Sequence, residues 1–380
     1  MSGVLQARGD TLRVELCTDE REFAALGPAW GRLYRRCAAA TPFQSHAWLH
    51  SWWTSYGRPG RLRLLLVRDS GALGERGELR AAAPLMWVRR PLPRLVPLGG
   101  AISDFGDVLL DDGHAGPAAA ALADALWTAA CTALIDFREV RPGSAVERVY
   151  EHWRGPRLRL RDSLCLELPA VPMEELMARL PGVKARRARA QLRKLTAMGV
   201  TRRTAPPGEV GAALRRLLAL HRLQWQNRRV TPEHLRERFA THLVRAVGPL
   251  VRSGDAVVTE FLLDGEVVAV DLTLLAPRLA GCYLYGVHPL LRERKADIAV
   301  MLLDACAQAT VTGGCGALSL LRGDEPYKHR WRPEPVVNQR LLLARRRTGP
   351  LLSVVACAVA ARNHGRELVR RCKEQGGARN

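Results

Sequence analysis

GALSLLRGDEPYKHRW, residues 316–331, is the stretch from which the rest of the chain can be read. Leu318, Leu320 and Leu321 follow a glycine turn at Gly313-Gly314, the pattern of a short buried strand. The strand runs straight into Arg322, Asp324, Glu325, Tyr327, Lys328, His329 and Arg330. An apolar strand ending in a dense polar cluster is the arrangement of a site at the carboxyl end of a sheet. The competing reading is a solvated loop behind an edge strand. Gly323 and Pro326, with Tyr327 and Trp331 among the charges, favour a shaped loop.

Upstream of that stretch the elements fall into two similar series. In the first, Thr11 to Leu16 alternates as a strand, and Thr18/Asp19 cap a helix running to Cys37. A second helix carries Leu49, Trp52, Trp53 and Tyr56. Strands at Arg61–Arg68 and Leu79–Val88 form a hairpin, and Pro91–Gly100 is a connector. Asp104–Asp111 reads as a strand and Gly116–Leu134 as an Ala-rich helix. Ile135–Val140 and Ser163–Leu168 complete the unit. The second series opens with a short helix from Met173 and a basic helix, Val183 to Met198. A strand near Val200–Thr204 follows, then helices at Glu209–Asn227 and from Thr231 or Pro232 to Gly248. Ala256–Leu263 and Glu266–Leu275 flank Asp264-Gly265, the strongest short hairpin signal in the chain. Tyr283–Val287 is a strand and Ala296–Thr312 a helix. His221 and Trp225, four apart on one helix, are expected to pack together.

This repeated order predicts an α/β (α+β, mixed-sheet) fold in two similar domains, 1–172 and 173–347, each with its own twisted sheet. A basic helical tail, 348–380, follows. The length of 380 residues fits two cores. A formal net charge of +21 favours anionic partners such as nucleic acid, phosphorylated small molecules or an anionic membrane surface, although Arg dominating Lys also fits GC-rich coding. The nine cysteines are scattered and never spaced C-x-x-C, so neither a disulfide framework nor a zinc site is expected. The amino terminus has no apolar signal-peptide core, and a cytoplasmic location is expected. In the tail, Leu351, Leu352, Val354, Val355, Ala358 and Val359 form an apolar stripe followed by Arg362, Arg366, Arg370, Arg371 and Lys373. That helix either docks on the second domain or touches an anionic inner leaflet as a peripheral contact.

With these words in this order, the sequence resembles a known family. TPFQSHAWLHSWW (41–53), DFGDVLLD (104–111), QLRKLTAMGV (191–200), HRLQW (221–225), LLDGEVVAV (262–270), YLYGVHP (283–289) and LLRGDEPYKHRW (320–331) are similar to the CelD-like, BioF-like acetyltransferases of the GNAT superfamily. The likeness spans about residues 10–345, and RGDEPYKHRW is its most specific piece. It implies tandem GNAT-like acyl-CoA N-acyltransferase domains, similar in plan to the FemAB-type aminoacyl transferases. It also implies acyl-CoA as co-substrate, no metal, and an amine acceptor, often in polysaccharide or envelope metabolism.

Acyl transfer from a thioester needs a base for the amine, a donor for the oxyanion and an acid for the thiolate. Asp324, Tyr327, Lys328 and Asp271 are the catalytic candidates. Tyr327 fits the acid, and Asp324 the group that orients or deprotonates the amine. Lys328 fits an anionic substrate group. An Asp324–Lys328 ion-pair lattice is the structural alternative. Asp271 interrupts VVAVDLTLL and must have a partner, structural or catalytic. In GNAT proteins CoA pyrophosphate sits on the loop before a helix, here 290–297. That loop lacks the superfamily's glycines, so Arg292, Arg294, Lys295 and the helix start at Ala296 are the cofactor-binding candidates. Tyr285, Arg322, His46 and Asp104 are the substrate-binding candidates. A tRNA-dependent FemAB-type transferase and a non-catalytic binding protein are the alternatives, the former favoured by the cations of Lys184–Lys194.

Overall fold

The computed structural model describes the backbone of residues 3–5 and residues 12–70, 77–224 and 232–360. The first half opens with β1 (Gly3–Leu5), β2 (Leu12–Cys17), α1 (Glu20–Ala25), α2 (Gly27–Arg36) and α3 (His46–Tyr56). The single helix expected up to Cys37 is therefore two. Asp19 caps the first by accepting from the Arg21 and Glu22 amides, and Pro28 starts the second, where a missing N–H costs nothing. Next come β3 (Leu62–Asp69), β4 (Leu79–Val88), β5 (Arg94–Pro97), β6 (Leu109–Leu110), α4 (Ala115–Ala129), β7 (Leu134–Val140), α5 (Ala145–Glu151) and β8 (Arg157–Pro169). Asp104–Asp111 was expected to be a strand throughout, yet only Leu109 and Leu110 pair, with β4. Conversely, the Pro-rich connector contains β5.

The second half contains α6 (Met173–Ala178), α7 (Gly182–Ala197), β9 (Thr201–Thr204), α8 (Val210–Gln224), α9 (Glu237–Ser253), β10 (Ala256–Leu263), β11 (Glu266–Leu275) and β12 (Leu279–Val287). It ends with α10 (Pro289–Glu293), α11 (Ile298–Thr312), β13 (Ala317–Arg322), α12 (Pro326–His329), β14 (Glu334–Leu343) and α13 over 349–360. The Asp264-Gly265 hairpin forms as read. α9 passes the expected stop at Gly248 because Leu250 still faces the core, and it ends at Gly254 in the left-handed conformation. Trp225 and the basic residues from Arg362 onward lie outside the described residues.

Two separate sheets do not form. The strands join in one hydrogen-bonded sheet, in the order β1-β2-β3-β4-β5-β7-β14-β8-β13-β12-β11-β10-β9, with β6 on β4. The cause is an exchange in the middle. β14, late in the chain, inserts between β7 and β8, and β8 pairs on its other side with β13. β8 and β14 are long, and leaving either as an edge would expose a row of unpaired N–H and C=O groups. One apolar cluster runs through both halves, from Val14 to Leu343. In the second half, Val270, Leu272 and Leu274 of β11 face α8 and α9, while Ala269 and Leu275 belong to the clusters built on α6, α7 and α11. This two-sided burial explains why β11 is apolar almost throughout.

Direct contacts also join the halves. The Ser51 hydroxyl on α3 donates to the His242 carbonyl on α9 (2.9 Å), and the Tyr283 hydroxyl donates to the Ile102 carbonyl (2.9 Å). α7 buries Ala185, Ala188 and Leu195 and leaves Lys184, Arg186, Arg187 and Arg193 exposed, the amphipathic division its sequence predicts. α13 docks through Leu352 and Val355 onto Leu134, Leu342 and Ala344, so its seat is β7 and β14 and not the second half alone. Among the described residues no helix is long and apolar enough to cross a membrane.

Candidate active site

The site begins where two parallel strands part. β12 and β13 pair only at Leu279↔Ala317, Ala280↔Leu318 and Gly281↔Ser319. Beyond that point β13 has a register break between Ser319 and Arg322, and Leu321 adopts φ +57°. Such a conformation costs a branched residue about 1–3 kcal/mol, and it persists only where its surroundings enforce it. Two features do so here. The Ser319 hydroxyl accepts from the Leu321 amide (3.1 Å). The Leu321 side chain lies against Gly281, where a Cβ would stand 3.0 Å from Leu321 Cδ2. Leu321 therefore acts as a wedge, and the missing side chain at Gly281 is the space it needs.

Past the wedge lies a cavity of about 960 Å³. Its lining includes Asp271, Tyr285, Arg292, Arg322, Tyr327, Lys328 and Asp104. Seven of the residues singled out from the sequence thus converge, from five separate segments of chain. Asp271 and Tyr285 are direct cross-strand partners on β11 and β12. Asp271 is 2 % exposed, and among the described residues no cation stands beside it. Its Oδ2 accepts from the Thr273 hydroxyl (2.9 Å) and the Cys306 thiol (3.4 Å). Burial pushes its carboxyl up to about 6, and the two hydrogen bonds offset only part of that rise. Tyr285 is half-buried and its hydroxyl is raised by burial. The carbonyl of Tyr285 accepts from the ring N–H at Nδ1 of His221 (2.8 Å). Because a carbonyl can only accept, that bond fixes the proton on Nδ1, and burial lowers the pKa of His221.

The polar loop supplies one rim. Lys328 is buried and committed, donating to the Arg322 carbonyl (2.9 Å) and pairing with Glu325 (2.8 Å). It closes the loop on itself, which competes with binding a substrate anion. Tyr327 stands half-exposed at the mouth, its hydroxyl raised mainly by partial burial. Arg322 faces the first half. It donates to Asp104 (2.6 Å), Glu139 (3.3 Å) and the Ala101 carbonyl (2.7 Å). Glu139 in turn bonds the Ser163 hydroxyl and the Asn338 amide, forming a buried polar cluster where the halves meet.

The remaining candidates lie elsewhere. Asp324 is exposed and paired with His329. His46 is bonded to the Phe23 carbonyl (2.8 Å) and stacked on His50 within the α1–α3 layer. Arg294 reaches toward Asp264 (3.8 Å), and Lys295 offers its carbonyl to Lys194 (3.0 Å). Ala296 packs with Leu291 and Met301. The α11 N-terminus, expected to seat phosphate, is capped by Asp297, which accepts from the Val300 amide (3.2 Å) and pairs with Arg330 (2.6 Å). Ile298 and Ala299 of that first turn do line the cavity. Cys282, Cys306 and Gln224 also line it and were not picked out, and so does His221, which was read as a packing residue. They sit on apolar element faces, where sequence alone reads core. Among the described residues no group of three or more His, Cys, Asp or Glu is placed to hold a metal ion.

The cavity thus lies where two parallel strands splay beside a helix start, and the comparisons give the fold its class. Residues 183–329 match the family model described as an acetyltransferase (GNAT) domain. Solved structures of low identity share the fold. FemX has 11% identity and a TM-score of 0.58, with 89% of this chain and 98% of that one covered. The C-terminal domain of an Agrobacterium fabrum protein classed as a lysylphosphatidylglycerol synthetase has 11% identity and a TM-score of 0.53, with 88% and 96% covered. A Bacteroides thetaiotaomicron protein of unknown function has 10% identity and a TM-score of 0.52, with 87% and 99% covered. A search of curated protein sequences gives no match. The chain therefore carries a GNAT-type transferase fold, with the matched domain in its second half.

Proposed function

We propose that the protein is an N-acyltransferase that moves an acyl group from acyl-CoA to an amine on a polar acceptor, such as an amino sugar, a nucleotide sugar or an envelope or polysaccharide precursor. The observation that carries this reading is the β12 edge left open beyond Gly281, with the Asp271 carboxyl buried beside it. An unpaired strand edge offers N–H groups to a thioester oxygen and to an extended pantetheine arm. Asp271, held near a pKa of about 6, is ionised at neutral pH and still able to take a proton from the attacking amine. Tyr327 remains protonated at neutral pH, which suits a donor to the departing thiolate. The acceptor enters over Arg322, Asp104 and Ser163, on the first-half side. The narrower CelD-like or BioF-like placement and a cytoplasmic setting belong to the same proposal.

A second reading, transfer from aminoacyl-tRNA, is supported by two observations. Asp297 already fills the α11 N-terminus with a carboxylate, and α7 exposes four cations. Thermal-shift titration with CoA, acetyl-CoA, longer acyl-CoAs and tRNA separates the two. Stabilisation by CoA species is expected. Stabilisation by tRNA alone, weakening steeply with salt, would replace the first reading by the second.

A further inference from the structure

One side of the cavity is apolar. Between α11 and β13 it is walled by Ile298, Leu302, Leu303, Leu320, Leu321 and Trp331. Leu302, Leu303, Leu321 and Trp331 are each less than 9 % exposed. The total, about 960 Å³, is at the upper end of the roughly 300–1,000 Å³ typical of small-molecule sites. An apolar recess gives water too few partners, so nothing polar is expected to fill it. Its lining loses dispersion contacts unless an apolar group enters. The wedge at Leu321, whose backbone strain is stored beside the open strand edge, is itself part of this wall.

We infer that this side receives the acyl chain of the donor, and that the donor class is a medium- or long-chain acyl thioester and not acetyl. The inference rests on the acyl-CoA reading above. The thioester carbonyl lies at the open β12 edge, and the chain continues from it between α11 and β13. The amine forms its bond to the carbonyl carbon, the carbon–sulfur bond breaks, the amine proton passes to Asp271, and the thiolate takes a proton from Tyr327 and leaves as CoA–SH; Asp271 then releases its proton to solvent and Tyr327 regains one from it.

Calorimetric titration of the full chain with CoA, acetyl-CoA, octanoyl-CoA and palmitoyl-CoA tests this without knowledge of the acceptor. Each methylene that fits should tighten binding about 4-fold. If only three of the six extra methylenes of octanoyl-CoA are buried, it is expected to bind about 60-fold tighter than acetyl-CoA. Leu303→Trp, which fills this side, should abolish that preference and leave CoA binding unchanged. Leu303→Ala should shift the preference toward longer chains, and it guards against misfolding of the bulkier variant. Equal affinity for acetyl- and octanoyl-CoA would overturn the inference and leave the donor reading standing. Failure of every CoA species to bind, including CoA itself, would overturn both.

Discussion

In the first half β5 and β7 run parallel at Arg94↔Leu134 and Leu95↔Ile135 and then separate, as β12 and β13 separate after Gly281↔Ser319 in the second. The two openings meet different fates. The first is filled by the chain itself. Gly106 donates its amide to the Glu139 carbonyl on β7 (3.1 Å), Phe105 is buried to 1 % exposure, and the Gln44 amide holds the Phe105 carbonyl (3.1 Å). Asp107 then caps α5, accepting from the amides of Ala145 (3.0 Å) and Val146 (2.8 Å). The second opening keeps its cavity. Each half also has a buried aspartate beside its gap. Burial raises both carboxyls, Asp107 to about 7 and Asp271 to about 6, so the contrast lies in their partners: Asp107 is held by the amides of Val108, Ala145 and Val146, as a structural carboxylate is. Asp271 has one hydroxyl and one thiol and faces the cavity. The difference teaches that the splay is a property of the fold, and that a segment such as 104–108 decides whether it becomes a site.

The sharpest test is at the two aspartates. Asp271→Asn should lower turnover by about 10²–10⁴-fold, with donor binding kept. The wild-type rate should rise with pH through about 6 and then level, since the base works when ionised. Stability should move the opposite way. The folded state holds this proton more tightly than the unfolded chain, whose value is 3.8, so stability falls as pH rises from there through about 6. By pH 7 the cost reaches about 3 kcal/mol, which Asp271→Asn should largely recover in denaturant melts. A variant that loses both activity and stability would make Asp271 another Asp107.

Next in size, Phe105→Ala removes the plug's buried ring and should cost about 3–5 kcal/mol in thermal or chemical unfolding, without creating a second donor site. Binding of a second equivalent of acyl-CoA by that variant would show that the first half retains a latent cleft.

A pair of glycines gives a smaller contrast. A Cβ on Gly106 would stand 2.5 Å from the Arg138 carbonyl oxygen, which cannot retreat without moving β7. Gly106→Ala should therefore cost about 1–3 kcal/mol. A Cβ on Gly281 meets first the Leu321 side chain, Cδ2 at 3.0 Å and Cγ at 3.5 Å, and no backbone atom is as near. Gly281→Ala should cost less than about 1 kcal/mol and still weaken acyl-donor binding several-fold by displacing the wedge, which calorimetry can read.

Tyr327→Phe should have the smallest effect. Its hydroxyl stands half-exposed where water can replace it, so a fall of about 10-fold or less in kcat, with KM unchanged, is expected. No change in kcat would remove Tyr327 from the mechanism.

Much of this plan was legible in the residues. The Asp264-Gly265 hairpin, the amphipathic α7 and the strand running into the Arg322–Trp331 cluster depend on turn chemistry and periodicity, which act over a few residues. That Asp271 would need a partner was legible, because an unpaired carboxylate inside VVAVDLTLL is costly, and Thr273 and Cys306 supply it. His46 and Asp324 looked equally chemical, but their neighbours in sequence are not their neighbours in the site. DFGDVLLD shows strand-like apolar residues and glycine together, and nothing local says that the glycine marks a close approach to β7 and that the segment fills a gap.

The sequence by itself determined most of the helices and strands, the Asp264-Gly265 hairpin and which polar residues needed a partner if buried, because those follow from local propensity and transfer energies; it did not reveal β5, β14 or the break between α1 and α2. Only the tertiary structure decided that β14 would insert between β7 and β8 and merge two halves into one sheet, since strand pairing over such separations is settled by which edges remain unsatisfied. The same long-range packing decided that Leu321 would be wedged over Gly281, that segment 104–108 would close one splay, and that the other would open around Asp271.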